Sequence, residues 1–341
     1  MSTTAKILLT TLNARYMHSA FGLRYLYANL GEHQSSAELI EFTIQEQPLS
    51  IAEKLLSYQP EIIGFSVYIW NVSEIEAVVA LLKSIKPEIR IILGGPEVSH
   101  SPDLPKVCEL ADYVIAGPGE QDFRELCEKL LRNECPETKY IDGRATPLEQ
   151  LILPYRFYND EDIRNRLIYV EASRGCPFKC EFCLSALDKT ATAFPLDAFL
   201  SEIDQLWQRG VRNFKFIDRT FNLKITTSIA ILEFFLQRMS DDLYLHFEVV
   251  PDNLPDKLKS VLQKFPPNSL QFEIGIQTFD SEIQERISRK QNNDKSKDNI
   301  RWLREHSGAH LHTDLIFGLP GDTLDNFADS FDQLIALNPH E

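Results

Sequence analysis

Short apolar, β-branched runs alternate with amphipathic stretches along nearly the whole chain, and no other feature limits the fold as much. In the first part, Lys6–Leu12, Glu38–Ile44, Ile62–Val67, Arg90–Leu93 and Tyr113–Ile115 read as strands. Helical periodicity occupies Phe21–Leu30, Ile51–Ser57, Ser73–Lys86 and Gln121–Leu131. Strands that alternate with helices predict a parallel sheet covered on both faces, here a doubly wound domain over residues 1–135. Right-handed crossovers then gather the loops that follow the strands along one edge, where open α/β sheets take their ligands.

The unusual residues fall on those loops. Ser66, Tyr68, Trp70 and Asn71 follow the third strand; Gly94, Gly95, Pro96 and Glu97 follow the fourth; Gly117, Pro118, Gly119 and Glu120 follow the fifth. Glycines at such places let a ligand approach the backbone closely, although a single Gly-Gly-Pro turn is usually only a turn. Residues 136–166 then lose periodicity. Pro136, Pro147 and Pro154 are spread among polar and acidic residues, which reads as an ordered linker between two domains.

From residue 167 the alternation resumes. Leu167–Ala172, Phe214–Ile217, Leu243–Val249, Ser269–Ile276 and His310–Ile316 read as strands, with helices over Leu196–Trp207, Ile229–Gln237, Pro255–Lys264, Lys297–Arg304 and a last one ending near Leu337. The first of these strands runs directly into Cys176, Cys180 and Cys183, with gaps of three and two residues. Three thiolates this close together can hold three corners of a cubane iron–sulfur cluster, leaving the fourth iron open to substrate. A zinc site would call for a further cysteine pair or paired histidines. No cysteine follows Cys183, and His246, His306, His310 and His312 lie far off without that pattern. Cys108, Cys127 and Cys135 are scattered and are expected to be structural.

The cysteine run, with Phe182 just before the third thiol, resembles the C-x3-C-x-aromatic-C signature of the radical S-adenosylmethionine (radical SAM) enzymes, and the likeness extends over about residues 167–341. The resemblance implies a 4Fe-4S cluster on Cys176, Cys180 and Cys183, S-adenosylmethionine (SAM) on the open iron, and a 5′-deoxyadenosyl radical after reductive cleavage. It also implies that Glu248 contacts the SAM ribose, that Gln277 lies near SAM, and that Ile316 backs the adenine. The second strand departs from the family's Gly-Gly-Glu ending; Asp218 stands there and is expected to accept from the SAM ammonium group. The family's partial barrel has six strand–helix units and five are counted here, so the expected architecture is a partial (β/α)6 barrel cut short before its sixth strand.

The first domain, in turn, resembles the flavodoxin-like, cobalamin (B12)-binding domain that precedes many radical SAM domains. On that likeness Ser66, Tyr68, Gly94, Gly95, Pro96, Glu97, Gly117 and Gly119 line the cobalamin groove. The D-x-H-x-x-G motif that supplies a lower cobalt ligand is absent; His18 sits on the first loop at the wrong spacing and is expected on the surface or in a hydrogen bond. A vestigial module with an empty groove is the alternative. The commonest activity in this class is methyl transfer to an unactivated carbon. A cobalamin-free radical SAM enzyme, or a non-catalytic metal-binding or redox-sensing module, are the competing readings.

Composition narrows the partners. The net charge of −15, from 35 Lys and Arg against 50 Asp and Glu, argues against nonspecific binding to nucleic acid or anionic lipid. No apolar run reaches membrane-spanning length, and the first residues lack a signal peptide's apolar segment. Clustered cysteines suit metal binding in a reducing cytoplasm better than a disulfide frame. The expected partners are an organic substrate of unknown class and, from the resemblance, an electron donor such as flavodoxin or ferredoxin.

Overall fold

A computed structural model describes residues 5–100 and 102–341. The chain divides into two compact units, Met1–Leu167 and Ile168–Glu341.

The first unit is built on six parallel strands: β1 (Ile7–Asn13), β2 (Ala37–Thr43), β3 (Ile62–Ser66), β4 (Arg90–Gly94), β5 (Tyr113–Ala116) and β6 (Tyr140–Asp142), in the order β2-β1-β3-β4-β5-β6. Between them run α1 (Phe21–Ala28), α2 (Pro48–Leu56), α3 (Val72–Ile85), α4 (Val107–Leu110) and α5 (Glu120–Leu131). Every residue of β1 is buried, because alternate side chains serve opposite faces of a sheet covered on both sides. Leu8, Ile63, Phe65 and Ile91 pack with Ile51 and Leu55 of α2 and Ile75 and Val79 of α3. Ile7, Leu9, Ile92 and Ile115 pack with Leu23 of α1 and Phe123 and Leu126 of α5. Two separate cores on one sheet are what doubly wound topology requires.

Residues 136–166, read above as a linker, count with the first unit. Tyr140–Asp142 pairs in parallel with β5 as an edge strand; three residues with little burial give no apolar alternation to read. Gly143 continues the pairing, and a Cβ there would collide with the Pro118 carbonyl. Further on, α6 (Asp160–Asn165) starts at a capping box in which Asn159 and Asp162 each accept the other's backbone N–H. Asp162 is also buried against Arg24 of α1, 2.8 Å from Nη2.

The second unit carries a five-stranded parallel sheet in the order β13-β12-β11-β10-β7, made of β7 (Ile168–Val170), β10 (Asn213–Phe216), β11 (Tyr244–Glu248), β12 (Leu270–Gln277) and β13 (His310–Leu315). A small antiparallel pair, β8 (Ser173–Arg174) and β9 (Thr192–Ala193), brackets the cysteine segment. The helices are α7 (Leu196–Gln208), α8 (Ile225–Leu236), α9 (Asp256–Leu262), α10 (Ser281–Arg286), α11 (Asn293–His306) and α12 (Leu324–Ile335). The six residues of α10 are too few to declare themselves by periodicity, and that helix was not expected.

β12 shows how this sheet is made. Leu270, Phe272, Ile274 and Ile276 are buried, while Gln271, Glu273, Gly275 and Gln277 alternate with them and are half-buried. Phe214, Phe216, Phe247 and Phe272 of neighbouring strands are buried as well. Register places Glu248 beside Glu273 and Glu273 beside His312, so the other face is polar across three strands. Along the outer edge of β13, the backbone N–H groups of His340 and Glu341 donate to Leu311, and the Glu341 carbonyl accepts from Thr313.

Candidate cofactor site

β8 and β9 pinch the cysteine segment into a closed loop. Gly175 opens it at φ +89°, where a Cβ would press on the Thr190 carbonyl at 2.5 Å. The Cys176 N–H donates to the Asp188 carbonyl at 3.0 Å and the Cys183 N–H to the Cys180 carbonyl at 3.0 Å. The loop is also tied to the turn after α10: the Glu181 N–H donates to the Ile287 carbonyl and Ser288 Oγ to Glu181 Oε1.

All three thiols face one cavity of about 330 Å³. Glu248 and Gln277 share its walls, so five of the residues singled out in the second half of the sequence come together. Burial pushes the Cys176 thiol up, and the neighbouring Cys183 and Cys180 push it further. Three thiolates so arranged need a cationic centre to hold them. Among the described residues no three His, Cys, Asp or Glu side chains converge as ligands of a single ion. A cubane asks for something different, one iron for each thiolate, and three separate thiols around one cavity fit that demand.

Glu248 pairs with Arg219, Nη1 lying 2.9 Å from Oε1; burial pushes its carboxyl up while Arg219 pulls it back. Gln277 stands at φ +69°, with its side chain beneath Gly275 where a Cβ would otherwise be. Asp218 and Ile316 are not in the cavity wall. Asp218 is 2% exposed, and its carboxylate accepts from the Ala172 N–H and from Ser173 Oγ. Burial pushes it up to about 7. Ile316 packs against Ile283, Ile287 and Leu319, and its N–H donates to the Gln277 carbonyl.

Arg219, Glu273 and Arg289, to which the sequence reading assigned no role, also stand in the cavity wall, as does Asp314 at the head of the fifth-strand motif. For Glu273 a signal existed, since it has the same strand parity as Gln277. His246 Nε2 lies 2.8 Å from its Oε1, and Lys215 Nζ lies 3.4 Å away. Together they hold the Glu273 carboxyl down at about 2, His246 contributing most. Arg289 had no local signal.

In the first unit the three expected loops are joined at the strand ends. Asn71 is buried, accepts from the Tyr68 N–H and donates to Thr11 Oγ1 and the Leu12 carbonyl. The Ser66 carbonyl accepts from Thr11 Oγ1. Tyr68 and Trp70 stack at 4.4 Å with Ile69 exposed between them. Gly94 ends β4, and Gly95 follows at φ +106°. Pro96 and Glu97 form a half-buried helical turn. Ser99 Oγ donates to the Gly95 carbonyl and accepts from the Gly117 N–H, which joins the second loop to the third. Gly119 caps α5.

This layout matches two known families. Residues 170–334 match the radical SAM superfamily and residues 7–127 match the B12 binding domain. The chain thus carries a radical SAM domain preceded by a B12-binding domain. An uncharacterised methyltransferase of Pyrococcus horikoshii is 24% identical over 89% of this chain and 70% of its own length. The cobalamin-dependent radical SAM methyltransferase TokK of Streptomyces tokunonensis is 25% identical over 83% of this chain, which spans 46% of that relative. The radical SAM methyltransferase TsrM from Kitasatospora setae, solved with cobalamin and a [4Fe-4S] cluster, superposes with a TM-score of 0.77 at 16% identity, over 98% of this chain and 71% of TsrM. That likeness is one of fold. Among the described residues no helix is long and apolar enough to cross a membrane.

Proposed function

We propose that this chain is a cobalamin-dependent radical SAM enzyme that cleaves SAM reductively and transfers a methyl group to an unactivated carbon. The observation that carries this reading is the meeting of Cys176, Cys180 and Cys183 with Glu248 and Gln277 around one cavity. The three thiolates would hold the cluster, which when bound supplies the electron that breaks a carbon–sulfur bond of SAM. Glu248 would accept from the ribose hydroxyls and Gln277 would line the SAM site. Ile316 is proposed to back the adenine. Asp218, expected at the SAM ammonium group, has both oxygens engaged by Ala172 and Ser173. We assign it instead to bracing the start of the cysteine loop.

In the first unit, Gly94, Gly95, Gly117 and Gly119 keep side chains off the strand-end edge, while Ser66, Tyr68, Pro96 and Glu97 would flank a cobalamin that supplies the methyl-carrying cobalt. The five-stranded sheet is, on this reading, the larger part of a (β/α)6 barrel. The substrate is an organic molecule of unassigned class, the electron donor a flavodoxin or ferredoxin, and the compartment the cytoplasm.

Anaerobic reconstitution with iron and sulfide, then dithionite and SAM, tests the first step. The expected result is about four irons per chain and release of 5′-deoxyadenosine. Both are lost when Cys176, Cys180 and Cys183 are replaced together by alanine. A loaded cluster that leaves SAM intact would favour a redox-sensing module. Failure to retain cobalt after incubation with cobalamin and gel filtration would favour a cobalamin-free enzyme.

A further inference from the structure

Arg289 lies 109 positions along the chain from Cys180, yet its Nη1 donates to the Cys180 sulfur at 3.8 Å. Its Nη2 donates to the Gly275 carbonyl and its Nε to Gln291 Oε1 at 3.1 Å. The backbone around it is anchored. The Arg289 N–H donates to the Gln284 carbonyl, and the preceding Ile287 and Ser288 hold Glu181 in the cysteine loop. The guanidinium is thus aimed by its surroundings, and not merely long enough to reach.

Among the described residues the cations lining the cavity are Arg219, Arg289 and Lys290, and of these Arg289 donates to a thiol. Arg219 is paired with Glu248. Among the described residues no carboxylate forms an ion pair with Arg289. Its positive charge is directed at a thiol instead. Hydrogen bonds to the sulfurs of an iron–sulfur cluster and the net charge around it set its reduction potential. A cation held a few ångströms from one corner stabilises whichever state carries the extra electron.

We propose that Arg289 is a positioning residue for electron entry: through Cys180 it raises the reduction potential of the cluster proposed above. This inference rests on that cluster being held by Cys176, Cys180 and Cys183. The step is a plain one-electron transfer. A low-potential one-electron donor is oxidised, the cluster is reduced, and no proton moves or bond breaks, Arg289 staying protonated throughout.

The test is an anaerobic redox titration of the reconstituted chain without SAM, mediated and followed by electron paramagnetic resonance. The wild type is compared with Arg289→Lys, Arg289→Gln and Lys290→Gln. Lys290 lines the same cavity without touching a thiol. The expected midpoints fall in the order wild type, Arg289→Lys, Arg289→Gln. The last loses about tenfold in its reduction equilibrium, or about 59 mV for one electron. Lys290→Gln moves the midpoint much less. Wild-type midpoints in whichever Arg289 variant retains full iron and sulfide would overturn the proposal, and so would an equal shift in Lys290→Gln. Should Arg289→Gln fail to load, Arg289→Lys decides alone, because losing the paired donors must lower its midpoint. A wild type that takes up no cluster would instead refute the cofactor assignment itself.

Discussion

Ser173 donates its hydroxyl to Asp218 at 2.6 Å, and the Ala172 N–H donates to the same carboxylate, so the end of the first strand of the second unit is clamped to the end of its neighbour just before the cysteines begin. Asp218, expected at the SAM ammonium group, is buried with both of these partners on its carboxylate.

That brace has a pH signature. Burial raises Asp218 to about 7 in the folded chain, above the ordinary aspartate value of 3.8. Between these values the folded state holds a proton that the unfolded state has released, so stability falls as pH rises from about 4 to about 7, by at most about 1.4 kcal/mol per pH unit. Asp218→Asn should flatten this part of the profile. Urea unfolding of both proteins between pH 5 and 7.5 checks it, and parallel profiles would remove the buried-acid account.

Gly95 and Gly117 should respond differently to alanine. Gly95 combines φ +106° with a Cβ position 2.5 Å from the Val67 carbonyl, whereas Gly117, at φ +83°, has open space around it. Gly95→Ala should cost about 2–3 kcal/mol, from strain plus collision, and Gly117→Ala about 1 kcal/mol from strain alone. Thermal unfolding midpoints give the comparison, and the reverse order would contradict it.

The buried charges of the first unit make a third case. Arg24 lies 2.6 Å from Glu41 and 2.8 Å from Asp162, and all three side chains are nearly inaccessible. Arg24→Met would leave the two buried carboxylates with Arg166 as their remaining cation among the described residues, 3.0 Å from Glu41 and 3.5 Å from Asp162. The expected loss is about 3 kcal/mol, because an unpaired buried charge costs more than the pair contributes. Arg24→Met with Asp162→Leu should recover part of it. Denaturant midpoints that are no better in the double variant would argue against the pairing.

Glu248 supplies a prediction about binding. If its carboxylate accepts from the SAM ribose, Glu248→Gln on a cluster-loaded chain should weaken SAM about tenfold, roughly 1.4 kcal/mol. Iron content should be unchanged. Calorimetry with SAM in the absence of reductant measures this directly, and unaltered affinity would place Glu248 outside the ribose site.

The alternation of β-branched runs with amphipathic stretches already implied two parallel sheets, and the spacing of Cys176, Cys180 and Cys183 implied a metal centre. Both are local patterns, written within a few residues and enforced by the periods of strand and helix. Assignments that depended on distant neighbours were beyond such reading. Tyr140–Asp142 becomes a strand only because β5 offers it a free edge. Asp218 turns inward because Ala172 and Ser173 present donors to it. Arg289 meets Cys180 because the turn after α10 is bonded to the cysteine loop. Burial and pairing of charged groups are set by whatever the fold brings alongside. The sulfurs could be found from spacing, whereas the charges around them emerged only when the strands lay side by side.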